Sequence, residues 1–245
     1  VRREVESHIE QFGQLLKMQL KMVKSYLPSV VFFSLFFPLG LLLLFKFVSA
    51  ASASFYVISG TATFYVFVSV VSGVAQILAG ERNRGRFSLM LAAGVPRELY
   101  SFTIAVSNGI STLVVLPVVI VLGELLLGVV VPLEAVPLLT VSAVLSLFSS
   151  SMLGMLLGLG IRSQRAVNQY SNVIAFVLSF FAPVYFPPSI VPIPFRYLTY
   201  LEPTTYVSQS LYYSLHGSLL ALPWDVGVFL TGLIFAVASS FVGRR

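Results

Sequence analysis

From Ser25 to Phe45 the chain carries no charged residue, a run of 21 positions. At about 1.5 Å of rise per residue, a helix of that length crosses the roughly 30 Å hydrocarbon core of a bilayer. Any open backbone form at that depth would leave peptide groups without partners, so helix is the form such a run dictates. Comparable runs recur at about residues 55–79, between Glu98 and Glu124, between Glu134 and Arg162, from about Asn168 to Phe186, and from about Trp224 to Val242. The expectation is an all-α integral membrane protein of six spans, forming one transmembrane domain over residues 1–245, with bends at Pro38 in the first span and Pro117 in the third. Composition agrees: 57% of the residues are hydrophobic and 10% are charged, too little polar surface for a soluble domain of 245 residues.

Charge orients the spans. Of the 15 Lys and Arg residues, only Lys46 and Arg196 fall in segments that alternate spans place on the far side. The others cluster at the N-terminus, at Arg82, Arg84, Arg86 and Arg97, at Arg162 and Arg165, and at Arg244 and Arg245. The positive-inside bias therefore puts both termini in the cytoplasm of a multi-pass plasma-membrane protein. The net charge of +6 accompanies no basic patch interleaved with aromatics, so nucleic acid is excluded as a partner. The first 26 residues, mixed polar and apolar, do not read as a signal peptide.

Several chemistries are also excluded. The chain has no cysteine, and its two histidines, His8 and His216, fall on opposite sides of the membrane, so no metal site is expected. No GxxxxGK[ST] loop occurs and no glycine precedes a lysine, which removes the usual phosphate cradle. Asp225, the only aspartate, lies at a membrane edge, where an intramembrane aspartate pair is impossible. An enzyme is not expected.

The segments flanking the spans carry the remaining information. Residues 5–27 place Val5, Ile9, Phe12, Leu16, Leu20, Val23 and Leu27 on one stripe, opposite Glu10, Gln14, Lys17, Lys21 and Lys24. Such a helix lies in the membrane interface, its lysines among anionic headgroups. The small residues at 49–54 suit a tight outer turn, and Pro132, Glu134 and Pro137 mark another outer connection. On the fourth span Ser146, Ser150, Gly154 and Gly158 form a ridge of small residues that invites a close helix neighbour. Asn168 and Asn172, one turn apart on the fifth, are placed either to hydrogen-bond across helices or to line a polar path. Residues 187–223 are too rich in proline and polar groups for a span, and read as short outer re-entrant or interfacial helices.

The longest polar interruption, residues 80–98, separates the second and third spans. Its Phe87, Met90, Leu91 and Gly94 recur at helical spacing, preceded by Gly80 and Gly85 and ended by Gly94 and Pro96. This reads as a short helix under the membrane with an apolar face open to a partner; a purely topogenic basic loop is the alternative.

In order along the chain, the amphipathic N-terminal helix, the six spans, the loop reading ERNRG then LMLAAGVPREL, and the late outer stretch FFAPVYFPPSIVPIPFRYLTYLEPTTY resemble the type-2 permeases of ATP-binding-cassette (ABC) exporters. Glu202 stands where that family usually has asparagine, and Gly94 where a proline often falls. The resemblance implies a half-transporter: two permease subunits, a second copy or a homologue, enclose a path among membrane lipids and are driven by separate ABC ATP-binding subunits. It implies no cofactor in this chain, ATP and Mg being bound by the partner subunit. Glu81, Arg82, Arg84, Gly85, Arg86, Phe87, Met90 and Leu91 would couple that ATPase to the spans, within a coupling helix from Glu81 to Ala93. The segment containing Pro187, Pro192, Pro194, Glu202, Pro203 and Tyr206 would form an outer gate. An ATP-independent secondary transporter or channel, or a membrane assembly factor, is the competing class; the first would normally show inverted repeats, and no convincing one is found.

Overall fold

The structure, a computed structural model, describes residues 2–48 and 53–242. The turn expected at 49–54 lies mostly outside them, as do Arg244 and Arg245. Among the described residues every regular element is helical. The long helices are α1 (Arg2–Val48), α2 (Ser54–Asn83), α4 (Arg97–Leu127), α5 (Val136–Gly160), α6 (Gln164–Phe181) and α9 (Ala221–Val242). Three short ones, α3 (Arg86–Ala92), α7 (Phe195–Thr199) and α8 (Pro203–Leu215), sit in the connections.

Among the described residues four helices are long and apolar enough to cross a membrane: α2, α4, α5 with its preceding 3-10 turn, and α9. α1 contains the uncharged run from Ser25 to Phe45, and α6 is diluted by Gln164, Arg165, Asn168, Gln169 and Asn172. No break separates the expected interfacial helix from the first span. Instead α1 runs 47 residues through Pro38, roughly 70 Å, more than twice the hydrocarbon thickness. Its first half lies along α4, with Leu15 and Gln19 buried and Phe12 packed 6.0 Å from Phe102, while Lys17, Lys21 and Lys24 stay exposed. Gln19, which interrupts the apolar stripe in the sequence, is thus part of the packed face.

The bundle is built around α2, which touches α1, α4, α5, α6 and α8. Its apolar window is 72% buried, against 22% for α9, because small residues let neighbours come close on several sides. The ridge on α5 packs on α2: a Cβ on Gly154 would lie 2.7 Å from the Val71 carbonyl oxygen, and one on Gly158 3.0 Å from Ala75. The ridge hydroxyls turn back into their own helix, Ser146 donating to the Ser142 carbonyl and Ser150 to the Ser146 carbonyl, so no polar atom opposes the contact. On its other sides α5 bonds to α8 through Ser142 and Ser214, 2.6 Å apart, and to α9 through Ser149 and Thr231, 3.0 Å apart.

α4 continues through Pro117 to Leu127, where Gly128 turns left-handed. Glu124, near its end, accepts a hydrogen bond from the Val131 amide at 2.6 Å and so fastens the following connection. Pro132 lies outside the helices, whereas Pro137 occupies the first turn of α5, where a missing amide leaves nothing unpaired. α6 ends at Phe181, earlier than the expected Phe186, since Ala182 precedes Pro183 and is held extended.

Candidate functional site

The polar loop at 80–98 is not one helix. α2 continues to Asn83 and so includes Glu81 and Arg82; at about 1.5 Å per residue its 30 residues reach roughly 45 Å, which carries this end beyond the hydrocarbon. A single left-handed residue, Gly85 at φ 76°, then breaks the chain away into α3. At the far end of α3 the Val95 amide donates to the Met90 carbonyl and the Gly94 amide to the Leu91 carbonyl, with Gly94 at φ 82°. This paired C-terminal closure explains the expected stop at Gly94, because only glycine enters that conformation freely.

Glu81 is the fastening point of the loop. Only 5% exposed, it accepts a hydrogen bond from the Tyr100 hydroxyl of α4 at 2.8 Å and pairs with Arg86 of α3 at 3.2 Å. One carboxylate therefore ties together three consecutive helices, and Arg86 supplies the charge that a buried carboxylate requires. Phe87 lies beneath α3, also 5% exposed, with its ring 5.7 Å from that of Tyr100. Tyr100 is fully buried and receives both; nothing in its local sequence marks it, and only the fold brings it to Glu81.

Arg82 points the other way. Its guanidinium donates to the carbonyl oxygens of Leu159 at 3.2 Å, Ile161 at 2.5 Å and Arg162 at 3.5 Å. These are carbonyls at the C-terminal end of α5, unpaired within the helix and at the negative end of its dipole. Thus Arg82 joins the α3 end of α2 to the end of α5. What α3 leaves exposed is Ser88, Leu89, Leu91, Ala92, Ala93 and Gly94, with Arg84 beside it; Met90 is half-buried. The expected apolar face is divided accordingly: Phe87 faces inward, Leu91 outward, and the most exposed apolar side chain, Leu89 at 69%, belongs to neither.

At the opposite end of the molecule, residues 182–202 wind through a 3-10 turn at Pro188–Ile190 and through α7. Arg196 holds this stretch by donating to the carbonyls of Ser189 and Val191. Pro187 and Pro194 cap the two short helices and Pro203 starts α8, while Tyr206 donates to the Tyr200 carbonyl at 2.7 Å. Of the two forms expected for this segment, re-entrant or interfacial, α8 is not the surface-lying one. It inserts among α2, α5 and α9, burying Thr204, Val207, Gln209 and Leu211, and Ser210 donates to the buried Asp225 at 2.6 Å. It closes at Gly217 with the same paired motif as α3.

Glu202 is the residue before α8, and burial raises its carboxyl from 4.5 to about 7. One of its oxygens is buried without a hydrogen-bond partner. A carboxyl raised on folding binds more protons in the folded state; the stability it confers is complete below pH 4.5 and is lost as pH rises through about 7. Amide exchange in the first turn of α8, corrected for intrinsic rates, is therefore expected to be slower at pH 5 than at pH 8. Glu202→Gln should abolish the difference, and a pH dependence unchanged in that variant would assign it to another group.

Asn172 accepts a hydrogen bond from Gln76 of α2 at 3.4 Å and donates to the Asn168 backbone carbonyl at 2.8 Å. Both asparagine side chains are otherwise exposed on α6, whose buried stripe is Val167, Ser171, Ala175 and Ser179. Among the described residues no group of three His, Cys, Asp or Glu side chains is placed to hold a metal ion.

The family model described as ABC-2 type transporter matches residues 10–216. No curated protein matches the chain significantly. With a match over most of its length, the chain belongs to the ABC-2 type transporter family: it is a type-2 ABC permease subunit, a multi-pass membrane component of a transporter and not itself an enzyme. The family implies a partnering ATP-binding subunit.

Proposed function

We propose that this permease is an exporter subunit that works as a dimer in the plasma membrane, with six spans, both termini cytoplasmic, and α3 as the docking point of a separate ATP-binding subunit that holds ATP and Mg. The two spans beyond the four clearly apolar helices are the apolar part of α1 and α6, and the expected domain plan is kept, with 5–27 interfacial, 80–98 coupling and 187–223 the outer gate. The observation that carries the coupling role is the wiring of the loop. α3 is fastened to α2 and α4 through Glu81, and the same stretch reaches α5 through Arg82, so a push on α3 is delivered to three spans at once. Affinity for the transported molecule must differ between inward-facing and outward-facing arrangements, and ATP-driven closure of the partner biases which one dominates. The exposed α6 face, with Tyr170, Val173, Phe180 and Phe181, supports a role in pairing with a second permease subunit. Pro192, α7 and the buried α8 support the outer gate, whose entrance Glu202 would control.

The test separates contact from support. Leu89→Asp with Leu91→Asp should lower capture of the ATP-binding subunit about thirtyfold or more, as loss of a central apolar anchor does, while the permease stays folded. Phe87→Ala should instead lower permease stability, because its ring faces the core. Wild-type capture and transport in the leucine pair would end the docking role of α3.

A further inference from the structure

At the α3 end, between α4, α5 and α9, a cavity of about 570 Å³ is lined by Arg82, Arg97 and Arg162 together with Leu159, Phe241 and Val242. Three cations converge on it. Arg82 spends its hydrogen bonds on neutral carbonyls, and its charge is opposed by the neighbouring charge of Arg97. The Nε of Arg97 is buried without a partner. Among the described residues no carboxylate pairs with these three: Glu81 is turned to Arg86, and the exposed Glu98 lines the next cavity without an ion pair to them.

That next cavity, about 480 Å³, shares Arg97 and Leu159 with the first and is walled by Phe102, Phe148, Met152 and Met155. A third, about 250 Å³ and almost wholly apolar, continues it between α4 and α5 as far as Leu113. Along α4 the distance from Arg97 to Leu113 is about 24 Å on helical rise, more than the roughly 15 Å depth of one leaflet. A basic mouth opening into an apolar channel along the spans matches one ligand chemistry: a phosphate carrying an acyl chain. A soluble phosphate has no use for the channel. A second copy meeting this patch by two-fold symmetry would set arginine against arginine.

We propose that this groove is a binding site for an anionic phospholipid, its headgroup phosphate between Arg97 and Arg162 beside Arg82 and one acyl chain between α4 and α5. The lipid supplies the missing counter-charge and braces the end of α5 to which Arg82 is bonded. The proposal rests on the membrane reading alone and needs neither ATP nor an ATP-binding subunit, so its failure and that of the coupling role are separately visible.

The experiment is native mass spectrometry of the full chain, purified in mild detergent and offered equal amounts of dioleoyl phosphatidylglycerol and dioleoyl phosphatidylcholine. Wild type should retain the anionic lipid about tenfold better, and Arg97→Gln with Arg162→Gln should bring the two lipids to parity, given that each basic residue near a membrane surface contributes on the order of a fivefold preference. Arg84→Gln, outside the cavity, should keep the preference. Gly109→Leu should lower retention of the anionic lipid, because a Cβ there meets only ordinary contacts with Ser151 and Leu147 and the rest of the side chain enters the channel. Equal retention of both lipids by wild type, or a preference that survives the double arginine change, overturns the site. So does an equal loss in Arg84→Gln, which would mark a diffuse basic surface, or displacement by glycerol phosphate at the concentration at which the lipid itself competes, which would mark a headgroup site without a channel.

Discussion

A Gly154→Leu chain is expected to insert and then fail to hold α2 against α5. The added Cβ would stand 2.7 Å from the Val71 carbonyl oxygen and 2.9 Å from the Val74 Cβ, and the first of these is backbone that cannot rotate aside. Relief requires the helices to separate, and because Gly158 meets Ala75 one turn further on, the separation runs along the seam. Overpacking of this kind costs about 3 kcal/mol or more, which lowers the thermal midpoint of a chain of this size by roughly 6–12 °C. Gly40→Ala is the control, since nothing lies within 4 Å of a Cβ at that position. The measurement is the monodisperse fraction surviving a temperature ramp in detergent. A midpoint within about 2 °C of wild type for Gly154→Leu would mean that α2 and α5 do not meet as described.

That seam was legible in the sequence as a ridge of four small residues, but its partner was not. Helix periodicity identifies which face of one helix is small; it carries no information on which of five other helices will fill the space. The same division applies elsewhere. Four of the spans could be read because uncharged runs have few other fates, and the stop at Gly94 follows from local backbone geometry. Glu81 and Arg82 could not be placed, since a charged pair at the end of an apolar run reads as the start of solvent. Their partners lie 19 and 77 positions away, at Tyr100 and Leu159. Phe87 shared helical spacing with Leu91 and so appeared to share its exposure; at the start of α3 Phe87 meets Tyr100, whereas Leu91, one turn further on, is 40% exposed. For α8 the choice between a re-entrant and an interfacial helix stayed open for a related reason: its serines and threonines suggested water, whereas they hydrogen-bond into α5, α6 and α9.

Glu81→Ala is expected to release α3 without disturbing the spans. The change removes the Glu81 carboxylate from Arg86 and leaves the buried Tyr100 hydroxyl without its acceptor. Breaking a buried charge pair from one side costs about 3–5 kcal/mol, and the lower part of that range applies here because Arg86 is 36% exposed and water can reach it. Exchange of the α3 amides, residues 86–93, should then accelerate by two orders of magnitude or more, about 3 kcal/mol of lost local stability, while the core of α2 and α5 keeps its protection. Glu81→Gln preserves an acceptor for Tyr100 but not the charge, so it should fall between wild type and Glu81→Ala. Tyr100→Phe removes only the hydroxyl; combined with Glu81→Ala it should add less than its own single effect, since the bond it would break is already gone. If the ATP-binding subunit docks on α3, the same variant should still capture it through Leu89 and Leu91 yet transport poorly at a given rate of ATP turnover, because force on α3 would no longer reach α2 and α4. Full transport in a Glu81→Ala chain whose α3 amides exchange freely would show that the fastening serves the fold alone.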